Sequence, residues 1–384
     1  MLPAASLIQR LKIYADRSSL PRFNKQLEDL NMQELKPLEA LERLLGADWA
    51  HLRRARENTA RKKAELLKKV APLAPVDTSI VAFGSVARDE VTKGSDIDWT
   101  LLIDGLANSE HFDVSHDIAS ALEDLGLNPP GGEQIFGGIS ISHDIIHKIG
   151  GGNDTNKNTT QRILLLLESV PIGPSDAYDR VVKQVLKRYV TEDWGWMHKQ
   201  VTVPRFLLND IVRYWRTMAV DFAYKRKERR GNGWGVRTIK LRISRKLTFA
   251  SGLIACFSCD MDESLKEAIS GGSELDLTHP AVDFLVKQVS LSPLDRMANL
   301  LAKYEPLHQA ANELFTSYDG FIGILDDENS RDRLKSVIPA EADQDLVYQQ
   351  ARELGHSFQN ALDKIFLEEN GTKLYPLMKK YGVF

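Results

Sequence analysis

Cysteine is nearly missing from this chain, with two among 384 residues. That excludes a scaffold built on disulfides and fits a reducing cytoplasm, where the protein is expected to reside. Long apolar runs are missing too. The longest aliphatic stretch, Ile163 to Leu167, falls far short of the roughly 20 residues a membrane-spanning helix needs, so no membrane partner is expected. The N-terminal stretch carries Arg10 and Lys12 among its apolar residues and no small-residue cleavage site follows, so no secretory signal is expected. Neither sign of charge dominates. Lys and Arg number 50 against 53 Asp and Glu, a net charge of −3, so any site for a polyanion must be local. There is no internal repeat, no low-complexity tract, no Walker A lysine, no dinucleotide fingerprint and no Ser-His-Asp arrangement.

What remains is a globular composition, 43% hydrophobic and 27% charged, which is enough for a sizeable core. The length predicts two to three domains. Residues 1–70 read as helical, with Leu38, Leu41, Leu44 and Leu45 at helical spacing. Residues 51–70 hold eight Lys or Arg against two Glu, which makes either a solvated face or one that meets a polyanion. Pro72 and Pro75 break this helix. Three strands are then predicted, over 79–83, 97–103 and 138–146, with a helix over 113–125. From about 157 onward the pattern is helical, including one helix over 294–315 and breaks at Gly271-Gly272 and around Ser317 to Gly320. The expected fold class is α+β: a small α/β core with a mixed sheet over 71–175, helices over 1–70, and a large helical domain over 176–384 with a possible division near 270.

The chemistry concentrates in Phe83-Gly84-Ser85, ten further residues, then Asp96-Ile97-Asp98-Trp99. In extended backbone, residues i and i+2 face the same way, so Asp96 and Asp98 sit side by side while Ile97 turns to the core. Two adjacent carboxylates repel unless a hard divalent cation such as Mg²⁺ or Mn²⁺ joins them. Gly84 permits close approach of a phosphate, and Ser85 with its N–H can donate to it. Ser95, flanking the acidic pair, belongs to the same candidate nucleotide seat.

This pattern resembles the nucleotidyltransferases of the DNA polymerase β type, over about residues 79–170. The resemblance implies two-metal phosphoryl transfer from an NTP or dNTP, and a third carboxylate on a later strand. The best candidate for that carboxylate is Asp144, alternating with Ser140 and Ser142 in Ile139 to Ile146, and Asp104 and Asp154 are fallbacks. Asp96, Asp98 and Asp144 would then ligate two ions. It also implies a basic residue and a hydroxyl on a facing helix for the triphosphate. Residues 205–246 hold thirteen Lys or Arg against three acids. There Arg237, Lys240 and Ser244 share a helical face at i, i+3, i+7, with Arg245 and Lys246 as the next choices.

Other features divide between chemistry and plain structure. Gly150 to Asn156 either wraps a nucleotide or simply turns the chain, and Asn158 to Thr160 are expected to cap the next helix. Cys256 and Cys259 form a lone C-x-x-C, too few ligands for zinc, and read as buried helix residues. The stretches 158–173 and 204–216 look like a bacterial group that includes stand-alone nucleotidyltransferases of anti-phage defence or toxin–antitoxin loci. That likeness implies template-independent synthesis on a nucleotide or single-stranded oligonucleotide. Two alternatives stay open: nucleotidylylation of a partner protein such as a cognate toxin or effector, and a nucleotide-binding regulator without turnover.

Overall fold

The stretch Thr78–Phe83 is mostly apolar and β-prone, and all six residues are buried as the central strand β1 of a four-stranded sheet. The computed structural model describes residues 35–125, 138–193, 203–228, 232–271 and 278–382. Helices α1 (Pro37–Leu45) and α2 (Ala50–Val70) lead into the sheet. Strands β1, β2 (Trp99–Ile103), β3 (Ile139–Ile141) and β4 (Ser169–Ile172) lie in the order β3-β2-β1-β4. β1 is antiparallel to β2 and β4, and β2 is parallel to β3. The sheet is therefore mixed. Between its strands run α3 (Glu110–Glu123), α4 (Ser142–His147) and α5 (Asn156–Leu167), and α6 (Asp176–Thr191) follows it.

Period-two alternation decides which core each strand residue joins. Ile80 and Ala82 pack with Trp99, Leu101 and Ile103 against Leu66 and Val70 of α2 and Ile118 and Leu122 of α3. Val81, Phe83 and Leu102 point the other way, into a large core that runs from Leu38 to Leu377. Helices α7 (Arg205–Glu228), α8 (Trp234–Lys240), α9 (Lys246–Met261), α10 (Glu263–Gly271) and α11 (Thr278–Val289) begin the helical part. They are followed by α12 (Pro293–Leu301), α13 (His308–Asp326), α14 (Glu328–Ser336), α15 (Leu346–Phe366) and α16 (Leu374–Leu377). Cys256 and Cys259 are buried in α9 with free thiols, as expected.

Buried polar contacts bind α1 and α2 to the C-terminal helices. Arg56 pairs with Asp295 at 2.7 Å, and Asp319 accepts from the Leu52 N–H at 2.8 Å. These contacts make α2 a fixed wall rather than a loose lead. The part of the predicted helical lead before residue 35 lies outside the described residues.

Four predicted features come out differently. The third strand stops at Ile141, and Ser142–His147 is helix. Ser142, Ile145 and Ile146 are buried while Ile141 is exposed, an i, i+3, i+4 pattern that a helix satisfies and a strand does not. The helix expected over 294–315 is two, α12 and α13, separated by a link that contains Pro306. Conversely, Ser317 to Gly320 is no break. It lies within α13, where Ser317, Tyr318 and Asp319 are buried. The cap of α5 is Thr155, whose hydroxyl accepts the Asn158 N–H at 3.2 Å, rather than Asn158 to Thr160.

Candidate active site

Strand β1 ends at Phe83, whose N–H donates to the Asp98 carbonyl at 2.8 Å, so the two ends of the motif loop are held together. Gly84 follows at φ +66°, a conformation only glycine takes without strain. A Cβ at Gly84 would also stand 3.3 Å from Asp98 Oδ2. The glycine thus serves two purposes: it turns the chain and makes room for the carboxylate. Exposure alternates along the following stretch as expected, with Asp96 exposed, Ile97 buried at 4% and Asp98 half-buried. The two carboxylates face a cleft of about 2100 Å³ lined also by Gly84, Ser85, Ser95, Arg237, Lys240, Ser244 and Arg245.

The environment of Asp98 explains its proton affinity. Burial raises its pKa, the carboxylates of Glu168 and Asp96 add to the rise, and Arg245 and Arg88 oppose it. A cation placed between Asp96 and Asp98 would relieve both burdens. The donor set is oxygen only, which suits Mg²⁺ or Mn²⁺. Among the described residues no three Asp, Glu, His or Cys side chains converge to hold a metal. The acidic pair is therefore the whole protein ligand set that the described residues offer there.

Behind the pair lies a charge cluster that sequence reasoning missed. Arg88 is 7% exposed and binds Glu90 Oε1 at 2.5 Å and the carboxylate of Glu168. Glu168, at the junction of α5 and β4, also accepts from Arg245 at 2.8 Å and from the Thr248 hydroxyl at 2.7 Å. The Tyr318 hydroxyl donates to Glu90. Burial would raise the Glu168 pKa, but Arg88 and Arg245 outweigh it and hold the carboxyl below the usual range. This cluster joins the motif loop and β4 to α9 and α13, and so sets the sheet against the helical part. One signal was legible: Glu168 is the acid that ends the aliphatic run 163–167.

Arg237, Lys240 and Ser244 do share one wall of the cleft. The helix that carries them is interrupted by a π-helical turn at Leu241–Arg245. Arg245, the last residue of that turn, lines the same cleft. Lys240 is exposed to the cleft but surrounded by the walls of the helical part, which desolvate it. That desolvation lowers its pKa, and Arg88 and Arg245 lower it further. No carboxylate among the described residues forms an ion pair with it. The Ser244 hydroxyl donates to the Lys240 carbonyl at 3.1 Å, and Lys246 turns away to the side chain of Gln359. Ser95 lines the cleft, but its hydroxyl accepts the Thr92 N–H at 2.9 Å and so shapes its own loop.

Asp144 is not brought to this cleft. It lies in the first turn of α4, half-exposed, where Lys148 binds it at 2.7 Å and His143 at 3.5 Å. The Lys148 hydrogen bond holds its pKa below the usual range. The expectation of a mid-strand aspartate fails because the strand ends three residues earlier. β3 also runs parallel to β2, so its far end points away from the Asp98 end of β2. The fallbacks are engaged elsewhere as well. Asp104 pairs with Arg180 at 2.7 Å. Asp154 is buried and held by Arg162 at 3.0 Å, Arg213 at 3.1 Å and the Gly150 N–H at 2.9 Å. The Gly150 to Asn156 loop is accordingly a turn built on that aspartate, with Gly150 and Gly151 both at positive φ.

Residues 63–125 match the family model of the nucleotidyltransferase domain. Neither a curated protein nor a solved structure matches the chain. No helix among the described residues is long and apolar enough to cross a membrane. The matched segment spans the second half of α2, β1, the motif loop, β2 and α3, and so contains Gly84, Ser85, Asp96 and Asp98. The chain therefore carries a nucleotidyltransferase domain, consistent with the polymerase β-like kind.

Proposed function

We propose that the protein moves a nucleoside monophosphate from an NTP or dNTP to an acceptor hydroxyl and releases pyrophosphate, as a class 2.7.7 enzyme that extends a nucleotide or oligonucleotide without a template. The observation that carries this reading is the Asp96–Asp98 pair set against Gly84, facing a cleft whose opposite wall presents Lys240 and Arg245. The acceptor oxygen forms a bond to the α-phosphorus, the bond from that phosphorus to the bridging oxygen of the β-phosphate breaks, and the hydroxyl proton leaves to solvent.

Asp96 and Asp98 would hold divalent Mg²⁺ or Mn²⁺, and when bound the metal would supply charge neutralisation of the triphosphate and of the attacking oxygen. Asp144 does not reach the cleft and would take no part in holding it. Ser85 and the backbone after Gly84 bind a phosphate on the carboxylate side. Lys240 forms no ion pair among the described residues and binds the triphosphate tail as a point charge. Arg245 shares its charge between Glu168 and the cleft, so it both positions the wall and strengthens its field. A setting in bacterial defence is supported by the likeness of residues 158–173 and 204–216 alone.

The test is incubation of purified protein with each labelled NTP and dNTP plus Mg²⁺ or Mn²⁺, with Asp96→Ala alongside. A nucleotide ladder or small cyclic product with pyrophosphate, absent from the variant, is expected. Label on the protein or only on an added partner would replace this reading with protein nucleotidylylation. Binding without turnover would replace it with a regulator.

A further inference from the structure

The cleft is larger than one nucleotide needs. Its volume is about 2100 Å³, whereas a small-molecule site usually measures ~300–1,000 Å³. Two groups stand out among its cations. The inner group, Arg88, Lys240 and Arg245, acts on Asp96 and Asp98 and serves the nucleotide seat. The outer group stands on other elements: Arg54 and Arg61 on α2, Lys93 in the motif loop, and Arg331 and Lys335 on α14.

Arg331 is the telling member. Its side chain is 12% exposed, and its Nε and Nη1 are buried without a hydrogen-bond partner. The nearest carboxylate, Asp332, stands 3.9 Å from Nε, beyond hydrogen-bond reach. A guanidinium cannot shed its proton, so idle buried donors carry a desolvation cost that an anion would offset. The guanidinium lies against Gly94, where a Cβ would come within 2.2 Å of Nη1. The missing side chain at Gly94, two residues before Asp96, is what lets this arginine lie on the motif loop. Two of the other outer cations are already committed. Arg54 is bound by Asp326 at 2.9 Å and Lys335 by Asp332 at 3.1 Å, and Asp327 caps α14 through the Ser330 N–H at 2.7 Å. Lys93 has no ion-pair partner among the described residues.

We propose that Arg331 and Lys93 form a phosphate subsite for the acceptor, and that the acceptor is a nucleotide strand. One backbone phosphate of the strand lies between α14 and the motif loop while its terminal hydroxyl reaches Asp96 and Asp98. The proposal rests on the nucleotidyl-transfer reading and names the acceptor class for it.

The test uses a fluorescein-labelled single strand of ten nucleotides, without NTP, and follows anisotropy with wild type and Arg331→Ala at several salt concentrations. Wild type binds the strand. Arg331→Ala binds it about fivefold or more weakly, and its plot of log affinity against log salt is shallower by ~0.7, the value of one phosphate contact to a single strand. Binding of an α,β-methylene analogue of the active nucleotide is unchanged. Arg331→Gln, which keeps length and packing, repeats the result if the alanine variant unfolds. Equal strand affinities overturn the subsite, as does a loss that falls on the nucleotide analogue instead. Pyrophosphate release is scored separately. Its absence from wild type breaks the transfer reading, whereas equal strand affinities in an enzyme that does release it break this subsite alone.

Discussion

Two clusters of arginine and carboxylate sit on either side of helix α5, and they do opposite things. Midway along it Arg162, with no exposed side-chain surface, is held by Asp154 at 3.0 Å, Asp210 at 2.7 Å and the Tyr189 hydroxyl at 2.6 Å. At its end Glu168 gathers Arg88, Arg245 and Thr248. The first cluster is closed. Its donors and acceptors match one another, and it lines no part of the cleft. The second is open on one side, where Arg88, Arg245 and neighbouring Lys240 face the cavity shared with Asp96 and Asp98. Charge that is buried and fully matched specifies the fold. Charge left in surplus beside a cavity implies a ligand of opposite sign.

Substitutions should separate the two clusters. The largest effect is expected at the acidic pair. Asp96→Asn or Asp98→Asn should lower kcat by at least about 10³-fold while leaving the melting temperature within a degree or two, because Asp96 is exposed and Asp98 opens on the cleft. Pyrophosphate release and calorimetry check this, and retained turnover would remove the pair from the chemistry. Arg162→Met should do the reverse. It leaves Asp154 and Asp210 facing one another in the interior and should cost about 3–5 kcal/mol of stability, read from urea unfolding, with KM for the nucleotide unchanged in the protein that stays folded.

Lys240→Ala should raise KM for the nucleotide about tenfold, a loss of ~1.4 kcal/mol, with a smaller change in kcat. Because desolvation and two neighbouring arginines lower the Lys240 pKa, its charge is lost at a lower pH than that of an ordinary lysine. Nucleotide affinity in wild type should therefore fall on the alkaline side before free lysine titrates, and the Lys240→Ala profile should lack that limb. Asp144→Ala should alter turnover less than about twofold, since a half-exposed ion pair contributes ~0–1 kcal/mol, and steady-state rates decide it. A large loss there would mean that α4 reaches the cleft during turnover.

The smallest effect concerns acid stability. Burial opposes ionisation of both Asp154 and Glu168, yet their partners win and hold both pKa values below the unfolded range. Each therefore binds fewer protons folded than unfolded in mild acid. The stability they supply is complete above the unfolded pKa of about 4 and is lost as pH falls through the folded values. Arg162→Met should flatten that dependence in part, because the Gly150 N–H and Arg213 still hold Asp154 ionised, and the unfolding midpoint against pH measures it.

The shape of the motif loop was legible because its parts lie within sixteen residues and obey local rules. Gly84 is needed for a positive φ, and Asp96, Ile97 and Asp98 alternate because extended backbone does. The triad Arg237, Lys240 and Ser244 was legible for a similar reason, since helical spacing places them together even across a π turn. Asp144 misled because Ile139 to Ile146 satisfies a strand pattern and a short helix pattern equally well, and only packing of Ile145 beside Ile146 chooses between them. Ser317 to Gly320 misled in the same way, as small and polar residues that usually break a helix are here buried against α2 and α15.

By itself, then, the chain determined the local chemistry: two carboxylates, a glycine turn, a hydroxyl and a basic helical face, all set by dihedral preference and side-chain period. The tertiary structure decided which distant charges meet them. Glu168, Arg88 and Arg245 converge from separate elements, and Arg331 crosses more than two hundred residues of sequence to lie on Gly94. No periodicity encodes such a meeting. It follows from how the buried faces of α2, α9, α13 and α14 pack, and the interior charges must then find partners or leave a site for one.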